Sequence, residues 1–469
     1  MNLASVRRTH VSARRIVKSS SLLAAGFLAI TSMAQAVPVI PGAAGFGIET
    51  PAGRGGTVYR VTNLNASGAG SLKACIDGAS ARTCVFEVSG TIRLTSDLII
   101  RNNKITIAGQ TAPSPGILIR GAALKIQASD VLIQHLRVRP GDDRNGPDPA
   151  NRDALKIEGT SSKPVKNIVI DHCSFSWAID ETVSVWGPHD NITFSNNIFA
   201  EALNKSLHPN GYHGFGVILG AHSGSSITMV GNLFSSMVER NPLSRTSELV
   251  FVNNVVYNRG TIDLDIQAEN GANVKSTVIH NLFIRGPSYS RDTSPIYIHT
   301  SGSLRVGSGS RIFQGGNKHI NYGSSVWSVT GSLYSGLMLT SSYPVWNGSL
   351  SPQHNSNNEV YNRVLAYAGA RPKDRDSVDK RIVAQVKARS GVIINCVADD
   401  GSSRCRNRHA GSYPWISQNR RTLSLPSSQN KVTSNGYSNL ENWLHSMDQS
   451  IAGTVSTDSP LSPPSLSVQ

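Results

Sequence analysis

Three short clusters carry the residue types that could do chemistry, and all fall between residues 130 and 260. They are Asn151-Arg-Asp153-Ala-Leu-Lys-Ile, Trp177-Ala-Ile-Asp180-Glu181-Thr-Val-Ser184-Val-Trp and Glu239-Arg240-Asn241-Pro242-Leu-Ser-Arg245. Asp153 and Asp180 are 27 residues apart. If one structural repeat stacks them at strand spacing, roughly 5 Å, the two carboxylates repel, and they either keep a proton or share a cation. Oxygen donors of this kind suit Ca²⁺ better than zinc. The alternative is a pair of exposed loop acids, and spacing alone does not choose. A carboxylate pair is also what a glycoside hydrolase needs, but hydrolysis gives Arg240 no task. Taken alone, Arg240 could be a structural arginine that caps a turn before Pro242.

The elements that must position these clusters show as a weak repeat. Short alternating segments recur: Val131-Leu-Ile-Gln-His-Leu-Arg-Val, Ile168-Val-Ile-Asp-His-Cys-Ser-Phe, Ile192-Thr-Phe-Ser-Asn-Asn-Ile-Phe, Ile227-Thr-Met-Val-Gly-Asn-Leu-Phe, Leu249-Val-Phe-Val-Asn-Asn-Val-Val and Ser276-Thr-Val-Ile-His-Asn-Leu-Phe. Aligned this way, His135, Cys173, Asn197, Asn232, Asn254 and Asn281 share one column. Stacked Asn side chains can bond to backbone at a bend and to the Asn above and below. Propeller blades and leucine-rich repeats fit worse. The pattern therefore predicts an all-β chain, a single-stranded parallel β-helix whose loop excursions carry function. The coil is expected over 37–325. Residues 361–388 mix apolar positions at helical spacing with charges, which predicts one or two short helices in a segment, 326–455, that packs on the coil. The Ser- and Pro-rich end, 456–469, reads as disordered.

The 469-residue chain is 39% hydrophobic, enough for a sizeable core. Residues 1–36 read as an export signal. Arg7, Arg8, Arg14, Arg15 and Lys18 precede an apolar run from Leu22 to Ile30, and Ala34-Gln35-Ala36 supplies a small-x-small cleavage pattern. The run is too short to span a membrane comfortably, so a secreted, extracellular protein is expected, with no membrane contact after cleavage. Without those five cations the net charge of +15 falls to +10. A basic extracellular protein suits a polyanion, such as an acidic polysaccharide. Nucleic acid is not expected, because no aromatic-interleaved basic patch appears. Cys75 with Cys84, and Cys396 with Cys405, could close short disulfide loops in an oxidising compartment. Cys173, among apolar neighbours, reads as a buried thiol.

The stretch from Gly45 to Gly260 resembles the pectate lyases of polysaccharide lyase family one. The residues carrying the resemblance are Gly45-Phe-Gly-Ile-Glu-Thr-Pro-Ala-Gly-Arg-Gly-Gly, Val88-Ser-Gly-Thr-Ile, Thr106-Ile-Ala-Gly-Gln-Thr-Ala-Pro, Arg137-Val-Arg-Pro-Gly-Asp, Arg152-Asp-Ala-Leu, Val169-Ile-Asp-His, Asp180-Glu-Thr-Val-Ser-Val and Arg240-Asn-Pro, in that order. The family's fold is the right-handed parallel β-helix. The resemblance implies β-elimination on α-1,4-polygalacturonate (pectate or pectin of the plant cell wall), assisted by Ca²⁺, by a protein expected to act as a monomer. It maps the catalytic base onto Arg240 and a substrate-holding arginine onto Arg245. Arginine is protonated at ordinary pH, so this role predicts an alkaline optimum.

By the same mapping Asp153 and Asp180 are metal ligands. The third family acid falls on Ser184, a poorer calcium ligand. Glu181 is the compensating candidate, though strand alternation could turn it to the opposite face. The family's substrate-binding lysine column holds Phe215 here, and Lys205 or His213 could serve from the neighbouring loop. Asp171 and His172 match a family signature read here as a polar network inside the coil. Asp142-Asp143 read as turn formers. The rival readings are a pectin lyase acting on methyl-esterified substrate without calcium, which Ser184 favours and the two Asp residues oppose, a glycoside hydrolase, and a non-catalytic polysaccharide-binding coil.

Overall fold

A computed structural model describes residues 37–220, 226–331, 343–345 and 357–453. The proposed signal (1–36) and the Ser/Pro tail (456–469) lie outside the described residues. β-Branched and aromatic residues alternate with small polar ones along the chain, and each short run forms a strand that pairs in parallel with the strand one turn later. Among the described residues, the coil has three sheets. The first has ten strands, from Thr57–Val61 to Arg311–Gly315. The second has nine, from Leu98–Ile100 to Trp327–Val329, and the third nine, from Gly90–Arg93 to Lys318–Ile320. The chain visits them in rotation, one strand each per turn, and so winds a right-handed parallel β-helix. Within each strand alternate residues point in. Ile168, Ile170, Val183, Val185, Phe194, Phe199, Phe234 and Phe251 are fully buried, and one core cluster runs the length of the coil. Each such side chain contributes roughly 1.5–3 kcal/mol on leaving water.

Two columns mark the bend between the first and third sheets. His135, His172, Asn196, Gly231, Asn253, His280 and Gly316 all have positive φ, the left-handed conformation that Gly and Asn adopt most readily. The next column is the Asn ladder. Asn197, Asn232, Asn254 and Asn281 are each fully buried. Each Oδ1 accepts from the backbone N–H of the residue one coil earlier, and each Nδ2 donates to the next Asn and to a backbone carbonyl. Asn317 extends the ladder beyond the expected set. His135 does not belong to it. Arg137 pairs with Ser174, so Leu136 stands opposite Cys173, and His135 falls in the left-handed column with His172. Counted from the paired starts Val131 and Ile168, His135 is the fifth residue, level with His172, and Leu136 the sixth, level with Cys173.

Among the described residues, a short α-helix, Leu72–Ile76, packs into the core of the coil, and three more follow the coil: Asn357–Tyr367, Ser377–Ala388 and Asn439–Ala452. Of these three, the first two fall in the stretch where helical spacing was read. The third has a complete capping box, Ser438 with Glu441, a signal that the repeat-centred reading passed over. Arg139, fully buried on the coil, donates to Asp376 at 2.5 Å and to Asp379 at 2.7 Å. Asp376 also caps the helix Ser377–Ala388. Thus part of the Arg137-Val-Arg-Pro motif anchors this helix to the coil. Asp171 accepts from Ser195, Asn196 and Gln134 and lies 2.8 Å from His172 Nδ1. His135 lies 2.6 Å from Asp448 of the last helix. This network sits on the outer face of the strand, not inside the coil as expected, because Ile168 and Ile170 take the inward positions. Cys75–Cys84 and Cys396–Cys405 are disulfide-bonded, and Cys173 is a buried free thiol. Among the described residues no helix is long and apolar enough to cross a membrane.

Candidate active site

The second sheet presents the site. Leu155 of strand Leu155–Glu158 pairs with Val183 of strand Glu181–Trp186. Counting back two residues places Asp153 and Glu181 at equivalent points on adjacent coils, at the bend where both strands begin. Glu181, not Asp180, is therefore the register partner of Asp153. Because Glu181 opens its strand at the bend, the alternation that sends Val183 into the core does not turn Glu181 away. One carboxylate oxygen from each of Asp153, Asp180 and Glu181 lies within 4.8 Å of the other two. Ser184, paired with Lys156 on the coil before, donates its hydroxyl to Asp153 Oδ2.

The crowding sets the charge states. Burial, with Asp180 adding repulsion, pushes the Asp153 carboxyl up to about 7, although Lys156 opposes the rise. Burial and the neighbouring Asp153 and Asp180 push Glu181 up to about 8, against the pull of Arg240. Burial acts on Asp180 too, but His213 and the proton held by Glu181 keep it below the ordinary carboxylate range. The cluster thus holds protons that a cation could displace. Asp153 Oδ1 is buried and, among the described residues, has no hydrogen-bond partner, which a bound cation would remedy. Three carboxylates and a hydroxyl form the all-oxygen donor set that Ca²⁺ takes, so the residues present fit calcium.

Arg240 closes the site on one side. Its backbone is left-handed at φ 63°, its Nη1 donates to Glu181 Oε1, and its guanidinium lies 4.0 Å from the centre of the Phe215 ring. His213 packs on the same phenyl ring, centroids 3.9 Å apart, and its Nε2 is 2.7 Å from Asp180 Oδ1. Asp153, Asp180, Glu181, Ser184, Arg240 and His213 are therefore gathered at one place. Arg245 stands at the end of the strand Leu243–Ser244 and donates to Gln267 at 3.2 Å and to Glu269 at 3.0 Å. Lys205 is exposed on the loop, its ammonium 5.2 Å from the centre of the Tyr212 ring. Sequence reasoning missed His208, whose ring stacks on His213, and gave no role to Phe215, the plate between His213 and Arg240. His208 lies in a loop with no repeat to phase it, and only the pair of histidines five residues apart offered a signal, whereas Phe215 opens the strand Phe215–Leu219 and pairs with Glu181.

No family model matches the chain. A "probable pectate lyase C" of Neosartorya fischeri is 32% identical over 450 residues, which cover 92% of this chain and 99% of the relative. A protein of the same name from Emericella nidulans is 36% identical over 257 residues, 54% of this chain and 55% of that one. The crystal structure of jun a 1, the major allergen from cedar pollen, superposes with a TM-score of 0.50 at 18% identity, covering 69% of this chain and 91% of the allergen. That likeness concerns the fold. The coil with its carboxylate–arginine site, taken with these relatives, defines an enzyme that acts on polysaccharides. The chain belongs to the pectate lyase family.

Proposed function

We propose that the protein is a secreted, calcium-assisted pectate lyase that cleaves α-1,4-polygalacturonate by β-elimination and leaves unsaturated oligogalacturonates. The observation that carries this reading is the double contact of Glu181, which sits within the Asp153–Asp180 acid cluster and also receives Arg240. Asp153, Asp180, Glu181 and Ser184 would hold the cation. Calcium bound there would draw charge from the uronate carboxylate and so acidify the proton at C5. With a cation held there, Glu181 and Asp153 would be ionised, and Arg240 would be free to leave Glu181 for substrate. Phe215 holds the guanidinium from below. Arg240, once deprotonated, takes the C5 proton; the C4–C5 double bond forms, the bond from C4 to the glycosidic oxygen breaks, and that oxygen takes a proton from water to become the reducing-end hydroxyl. Arg245 offers a fork suited to a second uronate carboxylate, with Gln267 and Glu269 fixing its direction. Two disulfides are consistent with an oxidising, extracellular setting.

Mass spectrometry of the products tests the reaction class. Elimination leaves the fragment with the new non-reducing end one water lighter than hydrolysis does, and the fragment with the new reducing end unchanged. Arg240→Lys keeps the charge but changes the base, and is expected to lower kcat by at least about 10²-fold while polygalacturonate binding persists. Products of hydrolytic mass, or a fully active Arg240→Lys, would overturn the reading. Ser184 in place of an acid favours a second reading, a lyase of methyl-esterified pectin, which the same products from methylated substrate would distinguish.

A further inference from the structure

We propose that Asp265 and His299 are positioning residues for substrate: acting through Gln267, they aim the Arg245 guanidinium at a uronate carboxylate. This role rests on the one given to Arg245 above. The register places all four residues on the face that carries Ser184 and the acid cluster. Strands Leu243–Ser244, Leu264–Ile266 and Ile296–Ile298 lie on successive coils of the second sheet. Leu264, Ile266, Ile296 and Ile298 fill the core, so Asp265 points outward. Pairing runs from Ser184 through Ile218 and Leu243 to Asp265. Asp265 therefore stands in the outward column of Ser184, three coils on. Arg245, Gln267 and His299 form the next outward column. Each continues the ladder just past its strand: Arg245 N donates to Leu219 O at 2.9 Å, Gln267 N to Ser244 O at 2.9 Å and His299 N to Ile266 O at 3.0 Å.

Side-chain contacts link the two columns. Arg245 Nε donates to Gln267 Oε1 at 3.2 Å, Gln267 Nε2 donates to Asp265 Oδ2 at 2.7 Å, and His299 Nε2 lies 2.9 Å from Asp265 Oδ1. A carboxylate only accepts, so Asp265 turns the amide nitrogen of Gln267 toward itself and the amide oxygen toward Arg245. Were the amide reversed, N–H would face N–H and the guanidinium would swing aside. His299 favours the same choice in either neutral tautomer. With the proton on Nε2 the ring can donate to Asp265; with it on Nδ1 the ring can accept from Gln267 Nε2, 3.4 Å away. Tyr297 stands edge-on to His299, ring centroids 5.2 Å apart. A histidine–carboxylate ion pair with no further role is the simpler account. It leaves unexplained why an acid stands on a face read as binding a polyanion, and why Gln267 is inserted between that acid and Arg245. The Asp265 side chain is 8% exposed and that of Arg245 19%, so the acid acts on substrate through the arginine rather than by touching it.

Initial rates on polygalacturonate with calcium test this as a double-mutant cycle between Asp265→Ala and Arg245→Ala in the full-length protein. Loss of a contact that serves substrate binding alone raises KM and spares kcat. Asp265→Ala is expected to raise KM about tenfold with kcat held within about twofold, and to add nothing once Arg245 is replaced. Asp265→Asn, whose carbonyl can still accept from Gln267, should stay near the wild type. Circular dichroism checks folding, and if Asp265→Ala does not fold, Gln267→Leu carries the same cycle. An unchanged KM, an equal increase in the Arg245→Ala background, or a loss as large in Asp265→Asn would overturn the relay. Should the protein show no lyase activity, the proposed function falls, but the cycle can still be read as calorimetric affinity for trigalacturonate. An active lyase with additive variants keeps the function and loses the relay, and a wild type that does not bind trigalacturonate loses both.

Discussion

At the scale of single residues, the site is defined by carboxylates that hold protons they would ordinarily have lost. Asp153 and Glu181 titrate at about 7 and about 8. A group whose proton affinity rises on folding binds that proton more tightly in the native state, so its contribution to stability is full below the unfolded value, near 4, and is lost as pH climbs through the native one. Metal-free protein should therefore lose several degrees of Tm between about pH 5 and about pH 9. Calcium should flatten that slope, because the ion replaces the protons. Scanning calorimetry with and without calcium checks this, and Glu181→Gln should remove part of the calcium-dependent difference. A difference that does not change with pH would contradict the assignment of these acids. The residue types of the site were readable in the sequence. The one-residue distinction that pairs Asp153 with Glu181 was not, because it depends on where each strand begins.

At the scale of elements, the Asn ladder fixes the coil's register. Asn232 accepts from both the backbone and side chain of Asn197, and donates to Phe194 O and to Asn254 Oδ1. Asn232→Ala leaves Asn197 donors buried without partners and is expected to destabilise the fold by about 2–4 kcal/mol, read from the shift in denaturant midpoint. Asn232→Asp should fare little better, since it removes the two donated bonds. This ladder is also where the sequence was most legible, since four of its residues recur at the same step of a repeated segment. Legibility ended where the repeat ended. His135 was misplaced by one because its coil carries Leu136 in the ladder column. The loop bearing His208 and His213 has no period at all. The capped helix Asn439–Ala452 was readable from Ser438 and Glu441, but only to a search for helices.

At the scale of the whole molecule, the C-terminal helices are tied to the coil by buried charge. Arg139 is fully buried and forked between Asp376 and Asp379, and Arg139 together with Arg137 holds Asp376 well below the usual carboxylate range despite its burial. Removing one partner leaves the other charge uncompensated, which typically costs about 3–5 kcal/mol. Arg139→Leu should therefore destabilise the protein by that amount in chemical denaturation. Arg139→Leu combined with Asp376→Asn should recover part of the loss, since fewer charges are stranded. A double variant no more stable than the single one would mean that Arg139 acts by packing alone. The central claim concerns the bend into the second sheet, where acids, calcium and Arg240 are to act together on polygalacturonate. Its most direct test follows the ultraviolet absorbance of the unsaturated product at alkaline pH, first with calcium and then with a chelator. A rise with calcium that the chelator abolishes is the predicted result. No rise from folded protein, or a rise that survives the chelator and is larger on methylated pectin, would contradict it.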